Sequence, residues 1–292
     1  MAHTLEQLGR QEQTLAGIGG IVRTMKALAA INASPYEQAA QSIQAWQQTV
    51  DLGLRAFAFR MRGQALRGSA AVQGRILIVF GSDHGFCGNY NALQARAVQQ
   101  WRAQRPRAQE VVLCIGARLQ RALAEHGIDV ARRLTPPASA DGIGRLAGQV
   151  VTQVQQLAQG RPLDALEVDL AYTRREPQHG SVAQVTQLLP LAPQLLQAPQ
   201  RWPGPSLPDF RMEPAQLFSA LVRSHIFARV FRASAEAMVT ENAARLALMQ
   251  QAEQLVQERL EQVRRDLAGV RQDAITDELM DIVIGHAGGA GS

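Results

Sequence analysis

The chain holds two cysteines, three tryptophans, three tyrosines and a single lysine, Lys26, and has no proline after Pro214. Each scarcity excludes something. Cys87 and Cys114 are too few for a disulfide framework or a thiolate zinc site, and both read as small buried hydrophobes. Aromatics make up only 5% of the residues, and the arginines are interspersed with carboxylates. The net charge of +5 therefore suits an acidic protein partner better than nucleic acid. The six histidines, including His179, His225 and His286, are scattered without metal-ligand spacing and read as surface or helix-face residues. No metal, cofactor or catalytic residue is expected. No run of about eighteen apolar residues occurs, so no membrane span is expected. Met1 to Arg10 lacks the apolar core of a secretory signal, which makes a cytoplasmic protein the default.

What the chain does have is periodicity. From Pro214 to Ile284 apolar or small residues fall at Leu217, Leu221, Ser224, Ala228, Phe231, Ala235 and Met238. They resume at Leu246, Met249, Ala252, Val256, Leu260, Val263, Leu267, Val270 and Ala274. The steps mostly alternate between threes and fours, the seam of a coiled coil, with a stutter through Asn242. At 1.5 Å per residue this helix would run for roughly 105 Å, too long to bury its seam without a partner. Residues 4–67 supply one. Val22, Met25, Ala29, Asn32, Tyr36, Ala39, Ile43, Trp46, Val50, Gly53 and Phe57 keep the same alternation. Pro35 lies inside the pattern and predicts a kinked or interrupted helix. Asn32 is either a register-setting seam residue or a solvated neighbour of that kink.

Between the two helical segments the period changes. Arg75 to Phe80, Val111 to Ile115, Ile128 to Arg132, Ala165 to Tyr172 and Ser181 to Leu189 read as strands, the last an outer one. Helical patterns cover Asn89 to Gln104, Gly116 to His126 and Asp141 to Gln159. Strand and helix alternation of this kind indicates a Rossmann-like α/β domain. Prolines from Pro190 to Pro208 mark an exit linker. The expected fold is an α/β protein: a long antiparallel two-helix coiled coil of the terminal segments, with an inserted α/β domain. The expected boundaries are 1–67, 68–208 and 209–292.

The segment Gly81-Ser-Asp-His-Gly-Phe-Cys-Gly-Asn-Tyr-Asn91 follows a strand and precedes a helix, where a Rossmann unit would hold phosphate. Its glycines lack the G-x-G-x-x-G spacing, and no P-loop occurs in the chain. It reads as a structural turn or a surface that docks another subunit. Asp83, His84 and Cys87 lack the third, orienting group of a nucleophilic site.

Three blocks carry a resemblance to a known family. Glu241-Asn-Ala-Ala-Arg-Leu-Ala-Leu-Met249 resembles E-x-A-A-R-x-x-A-M, and Arg271-Gln272 with Ala274-Ile-Thr and Glu278-Leu is similar to R-Q-x-x-I-T-x-E-L. Ser82 to Asn91 resembles S-D-[RK]-G-L-C-G-x-[FY]-N. Ile21-Val-Arg-Thr-Met-Lys26 with Ala29-Ala30 resembles I-T-K-A-M-K-x-V-A-A. Together, in order and at matching spacings, they resemble the gamma subunit of F-type ATP synthases, the central rotor shaft. Three departures, Leu267-Ala268, Asn32 to Tyr36 and His84, mark a divergent branch such as a second ATPase.

The resemblance implies a non-catalytic subunit whose shaft end lies inside a ring of alpha and beta subunits. It implies that the α/β domain rests on the c-subunit membrane ring and binds the epsilon subunit. Ion-driven rotation would then be coupled to ATP synthesis or hydrolysis from the cytoplasmic side of the inner membrane, peripherally. It further implies that Arg271 and Gln272 engage a loop of an alpha or beta subunit, and that Met25 and Lys26 face an acidic segment of a beta subunit. The competing readings are a non-rotary coiled-coil scaffold with an α/β cargo domain and a nucleotide-dependent enzyme using the Gly81 to Gly88 loop.

Overall fold

A computed structural model describes residues 2–61, 72, 74–105, 110–158, 165–176, 178, 180–197, 201–202 and 204–289. The expected boundary at 67–68 lies outside them, as do His179 and part of the proline-rich linker. The elements in chain order are α1 (Ala2–Met61), β1 (Gly74–Phe80), α2 (Tyr90–Ala103), β2 (Glu110–Ile115), α3 (Ala117–Glu125) and β3 (Arg132–Leu134). They continue with α4 (Ile143–Leu157), β4 (Leu166–Glu176), β5 (Gly180–Leu189), α5 (Pro193–Leu196) and α6 (Pro214–Gly289). The third strand begins at Arg132, where the sequence pattern expected it to end. α1 continues across Pro35 as one helix. The chain forms two compact units, one of residues 1–29 with 246–292 and the other of residues 30–245.

In the first unit α1 and α6 run antiparallel. Lys26 pairs with Glu253 at 2.5 Å, and Glu12, earlier on α1, pairs with Arg264, later on α6, at 2.8 Å. Between them a Cβ at Gly19 would sit 3.4 Å from Val256 Cγ1. The seam residues expected on α6 from Leu246 to Ala274 are all buried or half-buried, as are Val22, Met25 and Ala29 on α1. Asp266, Ala268 and Gly269, off the seam, face solvent. A single apolar stripe buried against one partner is what a three-four alternation dictates.

The second unit holds the sheet, ordered β3-β2-β1-β4-β5, with β1, β2, β3 and β4 parallel and β5 antiparallel at the edge. The continuous apolar runs of β1 and β2 are buried because helices cover both faces. On one face α2 and α3 pack Val98, Leu119 and Leu123 over Leu77, Val79 and Cys114. On the other, Leu146, Val150 and Val154 of α4 join Val222, Ile226, Val230 and Ala237 of α6, and Val50 and Leu54 of α1. Here too α1 and α6 are antiparallel: Phe57 stacks on Phe218 at 5.4 Å, and Asp51 meets His225 at 3.4 Å. In this unit α6 therefore buries two faces, one on α1 and one on the sheet, where the sequence pattern gave it one seam. His225 lies on that buried ground and is not a surface residue. Its burial pushes the imidazole pKa down, against the upward pull of Asp51.

At the starts of the strands, Arg75 pairs with Glu167, and Arg105 joins Glu167 and Asp169 while stacking over Trp101. Burial raises the Asp169 carboxyl to about 6, with Arg105 pulling the other way.

By length and composition alone, α1 contains an 18-residue stretch, of mean hydropathy 1.3, that could cross a membrane. The apolar residues of α1 are divided between the seam and an outward face that includes Ile18, Ile21, Leu28 and Ile31, so they do not form one unbroken run.

Antiparallel pairing in the first unit has a direct test. With Cys87 and Cys114 replaced by alanine, Gly19→Cys/Val256→Cys should oxidise to an intramolecular disulfide on a non-reducing gel. Gly19→Cys/Gln272→Cys should not. Equal cross-linking of the two pairs, or none of the first, would contradict the register.

Candidate functional site

Among the described residues none converge on a catalytic centre. Among the described residues no group of three or more His, Cys, Asp or Glu side chains is placed to hold a metal. What the chain presents instead are two surfaces, one in each unit.

The first is the outer face of the helix pair in the first unit. Ile18, Ile21, Leu28, Leu255, Ile275, Leu279 and Met280 are all exposed there, although the seam is already closed. Ile18, Ile21 and Leu28 step by three and seven, so they line one stripe of α1 beside the seam stripe. Apolar side chains this numerous on a thin two-helix layer exceed the scattered singles of an ordinary surface. On α1 the seam alternation masks the stripe of Ile18, Ile21 and Leu28 in the sequence.

The expected contact residues all lie in this unit, at two separate places. Met25 is half-buried, and Lys26 donates from Nζ to Glu253 Oε2 at 2.5 Å, so its nearest carboxylate belongs to its own chain. Arg271 and Gln272 are exposed, and the Gln272 carbonyl accepts from Thr276 Oγ1 at 2.9 Å. Glu253 and Arg271 are about five turns apart on α6, or about 27 Å. The structure thus does not bring the two pairs together. Among the described residues Arg271 has no ion-pair partner, which leaves its guanidinium available for a bidentate contact.

The second surface is the loop between β1 and α2. Gly81 is required because a Cβ there would lie 2.4 Å from Leu119 Cβ. Gly116 is required because its φ is +111° and a Cβ would strike the Ser82 carbonyl at 2.5 Å. The loop's polar groups are satisfied internally. Ser82 N donates to Asn91 Oδ1, Asn91 Nδ2 donates to Ser82 Oγ, and Ser82 Oγ donates to the His84 carbonyl. Asp83 Oδ1 accepts from Ala117 N at 2.9 Å, placing a carboxylate at the N-terminus of α3. A phosphate at that helix end would meet this negative charge.

Above this closed base stands Phe86, 61% exposed at φ +61°. A bulky residue in the left-handed region is a strained exception. Beside it a cavity of about 360 Å³ is lined by Arg118, Arg121, Asn91 and Glu125. Cys87, directly after Phe86, is buried against Ser82 Oγ at 3.4 Å, and burial pushes its thiol pKa up. Burial raises Cys114 to about 12. Both cysteines are thus the buried hydrophobes expected from the sequence.

With this geometry in place, comparison with known proteins is informative. Residues 4–288 match the sequence profile of the family described as ATP synthase. The chain is 32% identical over 216 residues to an ATP synthase gamma chain of Burkholderia multivorans, covering 72% of each protein. It is 32% identical over 223 residues to that of Burkholderia ambifaria, covering 75% of this chain and 74% of the other. Among solved structures, a chain of the Euglena gracilis mitochondrial ATP synthase rotor superposes with a TM-score of 0.62 at 14% identity, over 94% of this chain and 100% of that one. A chain of the Tetrahymena thermophila central stalk and c-ring gives 0.58 at 19% identity, over 80% and 99%.

The exposure and strain of Phe86 make a stability test possible. Phe86→Gly should leave the isolated chain as stable as wild type or about 0.5 kcal/mol more so, since relief of the left-handed conformation slightly outweighs glycine's entropy. The midpoint of urea unfolding measures this. A loss above about 1 kcal/mol would mean that Phe86 packs into the fold rather than standing off it.

Proposed function

Since the chain belongs to the gamma-chain family of ATP synthases, we propose that its outer helical faces and its Phe86 loop are the contacts through which rotation is coupled to nucleotide turnover. The chain is a non-catalytic subunit of the central stalk; catalysis in this family lies on the beta subunits. It is part of the F1 portion of a peripheral, membrane-associated complex. We propose that this complex lies on the cytoplasmic side of the inner membrane, as the family resemblance implies.

The observation that carries the reading is the apolar outside of the helix pair in the first unit. A free scaffold rod would keep a polar outer face, because exposed leucine and isoleucine gain nothing from water. A shaft enclosed by an alpha-beta hexamer needs the opposite: a surface that slides against apolar walls, with few fixed polar contacts to break on turning. The same enclosure accounts for an N-terminal helix that is apolar by composition without lying in lipid. Lys26, Met25, Arg271 and Gln272 then supply the sparse polar contacts, at two levels along the shaft. A contact that forms at only some angles favours one conformation of a beta subunit over another, and differential contact of that kind is all that coupling requires.

The sheet unit is proposed to rest on the c-ring and to bind the epsilon subunit, as the family resemblance implies. The Phe86 loop is proposed to dock against a further subunit. Its exposed ring and the neighbouring Arg118 and Arg121 fit an apolar contact rimmed by carboxylates.

Replacing Arg271 and Gln272 together by alanine tests the polar contacts. A charged hydrogen bond contributes about 1.5–3 kcal/mol, so ATP hydrolysis and ion pumping by the assembled complex should fall by roughly tenfold or more. Circular dichroism of the variant chain should be unchanged, since both residues are exposed. Wild-type turnover and pumping from an assembled double variant would show that the pair is not a coupling contact.

A further inference from the structure

A cluster of charge lies under the end of α2, at the starts of the strands. Glu110 of β2, Arg75 of β1 and Glu167 of β4 stand side by side in register across three neighbouring strands. Asp169 comes two residues after Glu167, beside Leu77, so all four residues share the sheet face that α2 covers. Arg102 and Arg105, at and just beyond the last turn of α2, meet them. Arg75 Nε lies 2.7 Å from Glu167 Oε2, and Arg105 Nη1 pairs with Glu167 and lies 3.4 Å from Asp169 Oδ2. Arg102 Nε lies 3.8 Å from Glu110 Oε1. The Arg105 guanidinium also sits 4.2 Å over the ring of Trp101, one turn earlier.

The carboxylates of this cluster are not equally served. Glu167 holds two arginines, one on each oxygen. Asp169 is only 3% exposed, yet its Oδ2 has one long contact and its buried Oδ1 has no hydrogen-bond partner. Its neighbour on β5, Gln187, is neutral and donates instead to the Pro190 carbonyl. A buried carboxylate repays its lost hydration only when its lone pairs are matched, so the Asp169 charge is the costly one here. We propose that Asp169 and Arg105 form a proton-operated clasp between β4 and the end of α2: with Asp169 ionised, Arg105 bridges Asp169 and Glu167, and with Asp169 protonated, Arg105 is left to Glu167 and the Trp101 ring.

The charged groups acting on Asp169 come from every neighbouring element. Burial raises its carboxyl to about 6; Arg105 and, more weakly, Arg75 pull it down, while Glu167 and Glu110 push it up. The folded chain therefore binds this proton more readily than the unfolded chain does. Ionised Asp169 costs stability above about 6, and protonation adds stability as the pH falls through that value toward the ordinary 3.8. That is the reverse of the usual carboxylate, which stabilises a fold as the ion, and it puts the change of state close to neutrality.

Trp101 makes the clasp visible. Trp46→Phe/Trp202→Phe leaves it as the sole tryptophan of the full chain. In that background its emission should titrate between pH 5 and 7.5 with a midpoint of about 6, as Arg105 changes its hold beside the ring. Asp169→Asn, which fixes the neutral state, should abolish the transition. The same variant should raise the urea midpoint over its background at pH 7.5, by an amount that shrinks at pH 5. Should Asp169→Asn fail to fold, Arg105→Gln, at a partly exposed side chain, should likewise remove the Trp101 transition. A Trp101 signal that does not titrate in this range, or that titrates equally in the variants, overturns the inference. So does a difference in urea midpoint between Asp169→Asn and its background that stays constant with pH, since a merely structural aspartate would give that result.

Discussion

Helices as long as α1 and α6 do not persist in water on backbone propensity alone; each is held by the strip of apolar side chains it buries against the other. That burial is the constraint on which everything else depends. In each unit the two helices meet antiparallel, as Lys26–Glu253 and Glu12–Arg264 show in the first and Phe57–Phe218 and Asp51–His225 in the second. Within the first unit it is also all there is. The seam uses one stripe of each helix, and the remaining surface is left to whatever encloses the pair. We propose that the exposed isoleucines and leucines there line a further interface, of the kind a gamma-chain family member offers to its hexamer.

Within the second unit the same helices meet a different demand. α6 must close a parallel sheet on one face and α1 on the other, and its sequence changes to suit. Small residues Ala228, Ala233, Ala235 and Ala237 let it approach closely, and buried polar residues appear at His225, Ser234, Thr240, Glu241 and Asn242. Buried polar groups need partners, and most of these find them. Thr240 and Asn242 donate to backbone carbonyls, and Glu241 holds Arg245. The exposed residues of the first unit and the buried ones of the second are thus drawn from one continuous helix whose burial pattern changes along its length.

Much of this was legible in the residues. The period of the terminal segments and the apolar runs of β1 and β2 follow local rules and were read correctly from them, except at Trp46, expected on the seam but 52% exposed. The seam positions from Leu246 to Ala274 needed no knowledge of the partner, because a single buried stripe leaves a regular imprint. The second buried face of α6 left none. Its residues fall between the seam positions, and a helix buried on two sides loses the polar stripe that makes periodicity visible, so His225 looked exposed. The strain at Phe86 was equally silent, since nothing in a phenylalanine announces a positive φ. Of the proposed contacts, Lys26 was legible as the only lysine, but not its pairing with Glu253, which depends on the register of two segments far apart in sequence.

The central claim is that this chain turns inside an alpha-beta hexamer and transmits that turning. It is tested most directly by fixing the hexamer to a surface and attaching a bead to the sheet unit of the bound chain. With ATP present, the bead should rotate in one direction, in steps whose rate follows nucleotide concentration. A chain that binds the hexamer stoichiometrically while the bead shows only undirected fluctuation at saturating ATP would contradict the account.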